Sequence, residues 1–123
     1  MCMQAKALLL LCISIAMLSC FDAKKQKLII GNWTGVSWVV EGQPSPYLPE
    51  HATFNFDENG NYLYRFLEHV ETGKYNVANN QLFTTPEGGN RMMVKIVKLE
   101  GDTLVFDMNR SGKSELLTLV RDE

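Results

Sequence analysis

A chain of 123 residues has room for one hydrophobic core and not for two. Its 12 basic and 14 acidic residues give a formal charge of −2, and from Leu28 onward 8 basic residues stand against 13 acidic ones. A mildly acidic domain with no basic stripe excludes nucleic acid as a partner.

The chain opens with a short polar stretch that contains Lys6, followed by an apolar run, ALLLLCISIAML, over residues 7–18. That run has the length of a signal-peptide core and is too short to cross a bilayer comfortably as a helix. The next residues, Met17-Leu18-Ser19-Cys20, resemble a bacterial lipobox, in which a small residue precedes a cysteine that is lipidated before cleavage. Met17 stands where leucine is usual. All three cysteines, Cys2, Cys12 and Cys20, lie in this leader. Cleavage before Cys20 would leave a single cysteine and no internal disulfide, so the domain must be held by its core. The reading is a signal peptide over 1–19, a lipidated, lysine-rich tether over 20–27 (CFDAKKQK) and one domain over 28–123. It places the protein on the cell envelope, at the outer membrane, with a bilayer as its partner through acyl chains on Cys20.

From Leu28 on, alternating apolar residues, β-branched and aromatic types and regularly spaced turn residues predict an all-β domain. Eight strands are predicted: 32–41, 51–57, 61–69, 73–78, 81–85, 91–99, 103–109 and 114–121. Asp57-Glu58-Asn59-Gly60 suits a turn with glycine in the left-handed region, and Asn79-Asn80 suits a two-residue hairpin. Links this short make neighbouring strands antiparallel, so the topology is an up-and-down meander. Pairing Asp57 with Asn61 sets Phe56 opposite Tyr62 and Phe54 opposite Tyr64, which gathers Phe54, Phe56, Tyr62, Tyr64 and Phe66 on one inner face. The asparagine hairpin puts Tyr75, Val77 and Leu82 together, and pairing Leu99 with Leu104 aligns Val97, Leu99, Leu104, Phe106 and Met108. Strand 91–99 then conflicts with itself, because Met92, Val94 and Ile96 point out while Lys95 points in. A bulge or a partner surface would each account for this. Trp33 and Trp38 fall on opposite faces of the first strand. Eight strands suffice to close a barrel, the alternative being an open, curved sheet.

Gly31-Asn32-Trp33, the long link over 42–50, Phe54-Asn55-Phe56, the turn through Gly60, Tyr62-Leu63-Tyr64, Gly73-Lys74-Tyr75 and the closing run from Leu117 to Arg121 together resemble bacterial lipocalin-like lipoproteins. The resemblance implies an eight-stranded barrel with Trp33 plugging one end and Arg121 packed across it. It also implies an interior that holds a small hydrophobic molecule. Phe54, Tyr62, Tyr64, Phe66 and Tyr75 are then the candidate ligand-binding residues, with Tyr47 and Leu48 as a lid. The same five side chains would equally serve to fill the core of a small domain.

No motif for nucleophilic catalysis or phosphate binding is present. Asp57, Asn59, Asn61 and Glu68 have the spacing of a calcium loop, but Tyr62 occupies the position that needs glycine. His51 and His69, with the nearby Glu50, Glu68 and Glu71, are the only group with metal-binding or acid–base chemistry, but Glu68 and His69 point to opposite faces of a strand and two histidines do not make a specific site. The expectation is therefore no enzyme, no metal and no cofactor. Two functions remain: a lipid-anchored barrel binding a small hydrophobic ligand, or an envelope interaction module with a filled core. The second would meet a protein partner through an outer face that includes Val94, Ile96 and Val105.

Overall fold

The structure is a computed structural model and describes residues 22–123. Nine strands form one antiparallel sheet: β1 (Gly31–Val40), β2 (Gln43–Pro44), β3 (Ala52–Phe56), β4 (Asn61–Phe66), β5 (His69–Ala78), β6 (Gln81–Pro86), β7 (Met92–Glu100), β8 (Thr103–Asp107) and β9 (Glu115–Arg121). β2 is a two-residue extension paired with the end of β1. The other eight run in sequence order, and β1 also pairs with β9 from Trp33↔Arg121 to Val40↔Glu115. The meander is a closed eight-stranded barrel, and closure removes the open edges that a curved sheet would leave.

The turn chemistry sets the register. Asp57 Oδ1 accepts hydrogen bonds from the backbone N–H groups of Asn59 (2.9 Å) and Asn61 (2.8 Å), and Gly60 takes φ of 81°. These bonds hold the Asp57 carboxyl below the usual range, the bond from Asn61 contributing most. The pairs Phe54↔Tyr64 and Phe56↔Tyr62 follow. Asn79 and Asn80 both adopt positive φ, giving a tight hairpin that sets Val77 opposite Leu82. Leu99 faces Leu104 across the two-residue Gly101-Asp102 turn.

Three departures from the expected strands have local causes. First, the strand expected over 61–69 stops at Phe66, and β5 begins at His69 rather than at 73. Leu67 and Glu68 make the turn, with Leu67 at φ of 54°, a conformation leucine seldom adopts. Second, the β1–β9 register shifts between Gly35 and Ser37. This bulge leaves Val36 outside and turns Trp38 to the interior as Trp33 is turned, so both tryptophans are buried. Third, the β7–β8 register shifts between Ile96 and Lys98. Val97 is therefore exposed and Ile96 is buried, the reverse of their expected facing. Each bulge inserts one residue and so inverts the facing of everything beyond it. The outer apolar face expected through Val94, Ile96 and Val105 loses two of its three members, since Val94 and Ile96 turn inward.

The lysine-rich segment read as a tether is helical over 22–28 and lies against the barrel. Gln26 Oε1 accepts the N–H of Val77 (2.7 Å), Asp22 Oδ1 accepts that of Asn79 (3.3 Å), and Lys25 donates to Asn80 Oδ1. A helix this short is marginal in isolation. These contacts and the complete burial of Ile29 hold it in place. The predicted signal peptide and Cys20 lie outside the described residues.

The link over 42–50 contains β2 and the start of a single 3₁₀ turn (Pro49–His51) that packs on β1. Gly35 permits this approach: a Cβ there would lie 2.2 Å from the Pro49 carbonyl oxygen.

Candidate functional site

The two ends of the barrel differ in kind. At one end, Trp33 is fully buried and its indole N–H donates to the Ile29 carbonyl at 2.8 Å. The Arg121 guanidinium lies 4.3 Å from the centre of the Trp33 ring. It donates to the carbonyls of Ile30 and Leu28, the latter at 2.6 Å, and its Nε sits 3.5 Å from Asp102. One cation thus binds the indole face and ties down the incoming chain, a task that uses the planar, forked donors of arginine. This end is closed.

The other end opens into a cavity of about 690 Å³ bounded by all but the first of the eight barrel strands. Of the five side chains expected to line a pocket, Phe54, Tyr62, Tyr64 and Phe66 do so, joined by Leu82, Val94, Phe106 and Leu117. Phe54 organises the aromatic wall, with ring centres 4.7 Å from Tyr64, 5.6 Å from Phe106 and 5.5 Å from Phe56. Met92, Met93 and Met108 supply flexible, polarisable surface. Met92 and Val94 are here because they precede the β7 bulge, contrary to the outward facing read from the sequence.

Tyr75 does not line the cavity. It packs edge-on against Phe56 at 4.9 Å, and its hydroxyl donates to the Asp57 carbonyl at 2.6 Å. Burial, reinforced by the charge of Asp57, pushes its hydroxyl pKa up to about 12. A raised folded-state pKa stabilises the fold fully below the unfolded value of 10.0 and progressively less as pH rises towards 12. Stability measured by urea unfolding should therefore decline over that window. Tyr75→Phe, although less stable at pH 7 for want of the hydroxyl bond, should decline less steeply. Parallel slopes for the two proteins between pH 10 and 12 would refute this assignment.

Polar groups are few in the cavity and are placed at defined heights. On the wall, the Tyr62 hydroxyl donates to Glu71 Oε2 at 2.8 Å, and burial together with this carboxylate pushes its pKa up. At the mouth stand His69 and Arg110. Burial raises the Tyr64 hydroxyl pKa and the Arg110 charge opposes that rise, so this cation acts on the aromatic wall. Arg110 Nε is 3.9 Å from Glu115 Oε2, and the buried Glu115 accepts the Trp38 indole N–H at 2.8 Å. The arrangement is an apolar container with a carboxylate–phenol pair inside and a mostly exposed guanidinium at its rim.

Tyr47, expected in a lid, sits against Trp38 (5.4 Å) and Phe66 (5.6 Å) at the mouth, while Leu48 is exposed. His51 lies beside Phe66 and His69 beside Tyr64. Among the described residues no three His, Cys, Asp or Glu side chains gather as a metal site. Thr84 and Arg110 have no signal in the sequence, because hydrophobic periodicity does not mark a polar residue that faces inward, and Glu71, grouped there with the histidines, instead lines the cavity.

Comparison with known proteins places this geometry. The family model described as a lipocalin-like domain matches residues 29–106. The fold is similar to that of a lipocalin-like protein from Bacteroides uniformis, with a TM-score of 0.60 at 12% identity, covering 77% of this chain and 99% of that one. It is also similar to an uncharacterised protein from Bacteroides eggerthii, with a TM-score of 0.57 at 11% identity, covering 76% and 98% of the two chains. No curated protein matches the chain.

Proposed function

Because this chain belongs to the lipocalin-like domain family, we propose that its barrel binds a small amphipathic molecule, apolar over most of its length and anionic at one end. The supporting observation is the cavity itself. It offers about 690 Å³ walled by aromatic, aliphatic and thioether side chains, within the range of small-molecule sites. Arg110 at the mouth favours an anionic terminus there, and Glu71, inside, disfavours the reverse orientation. The role is binding and not catalysis. We place the protein on the cell envelope, at the outer membrane, held by acyl chains on Cys20 once the first 19 residues are removed.

Titration with 1-anilinonaphthalene-8-sulfonate, an aromatic sulfonate of the proposed chemistry, tests the reading. Saturable 1:1 binding in the micromolar range is expected, about 8 kcal/mol at 1 μM. A straight-chain carboxylate of ten to fourteen carbons (such as laurate) should displace the dye, and its neutral alcohol should do so less well. Absence of saturable binding, or equal displacement by acid and alcohol, would overturn respectively the site and its polarity.

A further inference from the structure

A second groove, of about 680 Å³, lies outside the barrel between the 22–28 helix and β7. Lys24 and Lys25 line it from the helix and Lys95 and Lys98 from the strand, with Glu100 as its one acidic lining residue. The β7 bulge builds the strand side. By setting Val97 and Lys98 both outward, it adds a second cation and an exposed valine to the face that already carries Lys95. Leu28, Val97 and Leu99 give the groove an apolar floor. Lysines around exposed aliphatic residues match a membrane interface, where ammonium groups meet phosphates and the aliphatic surface meets the acyl boundary. The cationic groove also stands out on a domain in which acidic residues exceed basic ones.

Its position points the same way. The groove is at the closed end, where Lys25 reaches the Asn79-Asn80 turn and the described chain begins at Asp22. Cys20 is two residues upstream, so an anchor there would deliver this end to the bilayer first. The cavity mouth is at the opposite end of the barrel.

We propose that this groove receives the anionic headgroups of the bilayer that holds the chain, standing the barrel on its closed end with the mouth turned away. The orientation rests on the proposed anchor at Cys20; the cationic character of the groove does not. In this posture the cavity exchanges ligand with the aqueous side or with a partner, and not with the bilayer beneath it.

Amine footprinting tests the proposal. The chain as isolated from cell membranes is mixed with vesicles of phosphatidylcholine alone, or of phosphatidylcholine with phosphatidylglycerol. It is then treated with a water-soluble acylating reagent, and peptides are quantified by mass spectrometry. On the anionic vesicles Lys24, Lys95 and Lys98 should be acylated several-fold more slowly than on the neutral ones, with Lys113 in the mouth loop unchanged. Salt at about 0.5 M should erase the difference by screening. Lys95→Glu with Lys98→Glu should release Lys24 as well. Protection that is equal for Lys113, or independent of vesicle charge, overturns the proposal. Sedimentation reads the anchor separately: failure to sediment with neutral vesicles, with the groove lysines still protected on anionic ones, refutes the anchor and leaves the docking face standing. Sedimentation with neither kind of vesicle overturns the docking face.

Discussion

Trp33→Ala should lower the stability of the barrel by about 3–5 kcal/mol, the usual cost of truncating a buried tryptophan. A domain of this size is stable by only about 5–15 kcal/mol, so the variant loses a large part of its margin. The cost has three sources. The complete burial of the indole means that alanine leaves a void at the closed end. The Ile29 carbonyl loses the indole N–H, its buried hydrogen-bond donor. Arg121 loses the ring against which its guanidinium lies. All three cysteines precede the described barrel, so no disulfide within it limits the damage. Trp33→Phe keeps most of the apolar volume and loses the hydrogen bond, and should cost less, about 1–3 kcal/mol. Arg121→Lys keeps the charge but not the paired donors to Leu28 and Ile30, and should loosen the incoming segment more than the barrel. Urea unfolding followed by circular dichroism orders the three variants. A Trp33→Ala protein within about 1 kcal/mol of the parent would show that the indole does not hold this end.

The sequence disclosed the parts of the fold that depend on turn residues. Asp57 with Gly60, and Asn79 with Asn80, can make tight turns for reasons intrinsic to those side chains, and the pairs Phe54↔Tyr64 and Val77↔Leu82 follow by counting outward. The Leu67-Glu68 turn carries no such residue. It forms because β4 and β5 must both pack inward on either side of it, which is a tertiary demand. The bulges at Val36 and Val97 were hidden for a related reason: barrel curvature sets where an extra residue goes, and valine has no preference for the position. Each left an indirect trace in the odd spacing of residues that both prove to be inside, Trp33 with Trp38 and Ile96 with Leu99. The candidate site inherited the second error. Simple alternation counted across the bulge turns Met92 and Val94 away from the cavity, whereas the β3 and β4 aromatics, whose facing does not depend on β7, are set inward. Tyr75 shares their inward face but sits nearer the closed end, and alternation gives a side chain's face without its depth. The helix over 22–28 depends on acceptors that Gln26 and Asp22 offer to β5 and the following turn, contacts with no local signature.

Thr84→Trp should weaken binding of the aromatic sulfonate by at least about tenfold, 1.4 kcal/mol, while leaving the barrel as stable as before or slightly more so. Thr84 is half-buried on β6 opposite Met92, and its side chain faces the cavity near the Tyr62 hydroxyl. An indole there projects into space that the parent leaves open, and both residue types suit a strand, so the backbone has no reason to move. The two readings of the interior now give opposite results for one substitution. If the aromatic wall merely completes a packed core, an added indole must displace Phe54, Leu82 or Phe106, with a cost of about 1–3 kcal/mol from overpacking. If the wall bounds a vessel, stability is kept and the ligand is excluded. Unfolding and dye titration on the same preparation distinguish these outcomes. Lost stability with unchanged dye affinity would return the interior to a structural role and move any ligand elsewhere. Kept stability with lost affinity locates the ligand against β6, one strand from the Tyr62–Glu71 pair and within the ring of side chains that ends at Arg110.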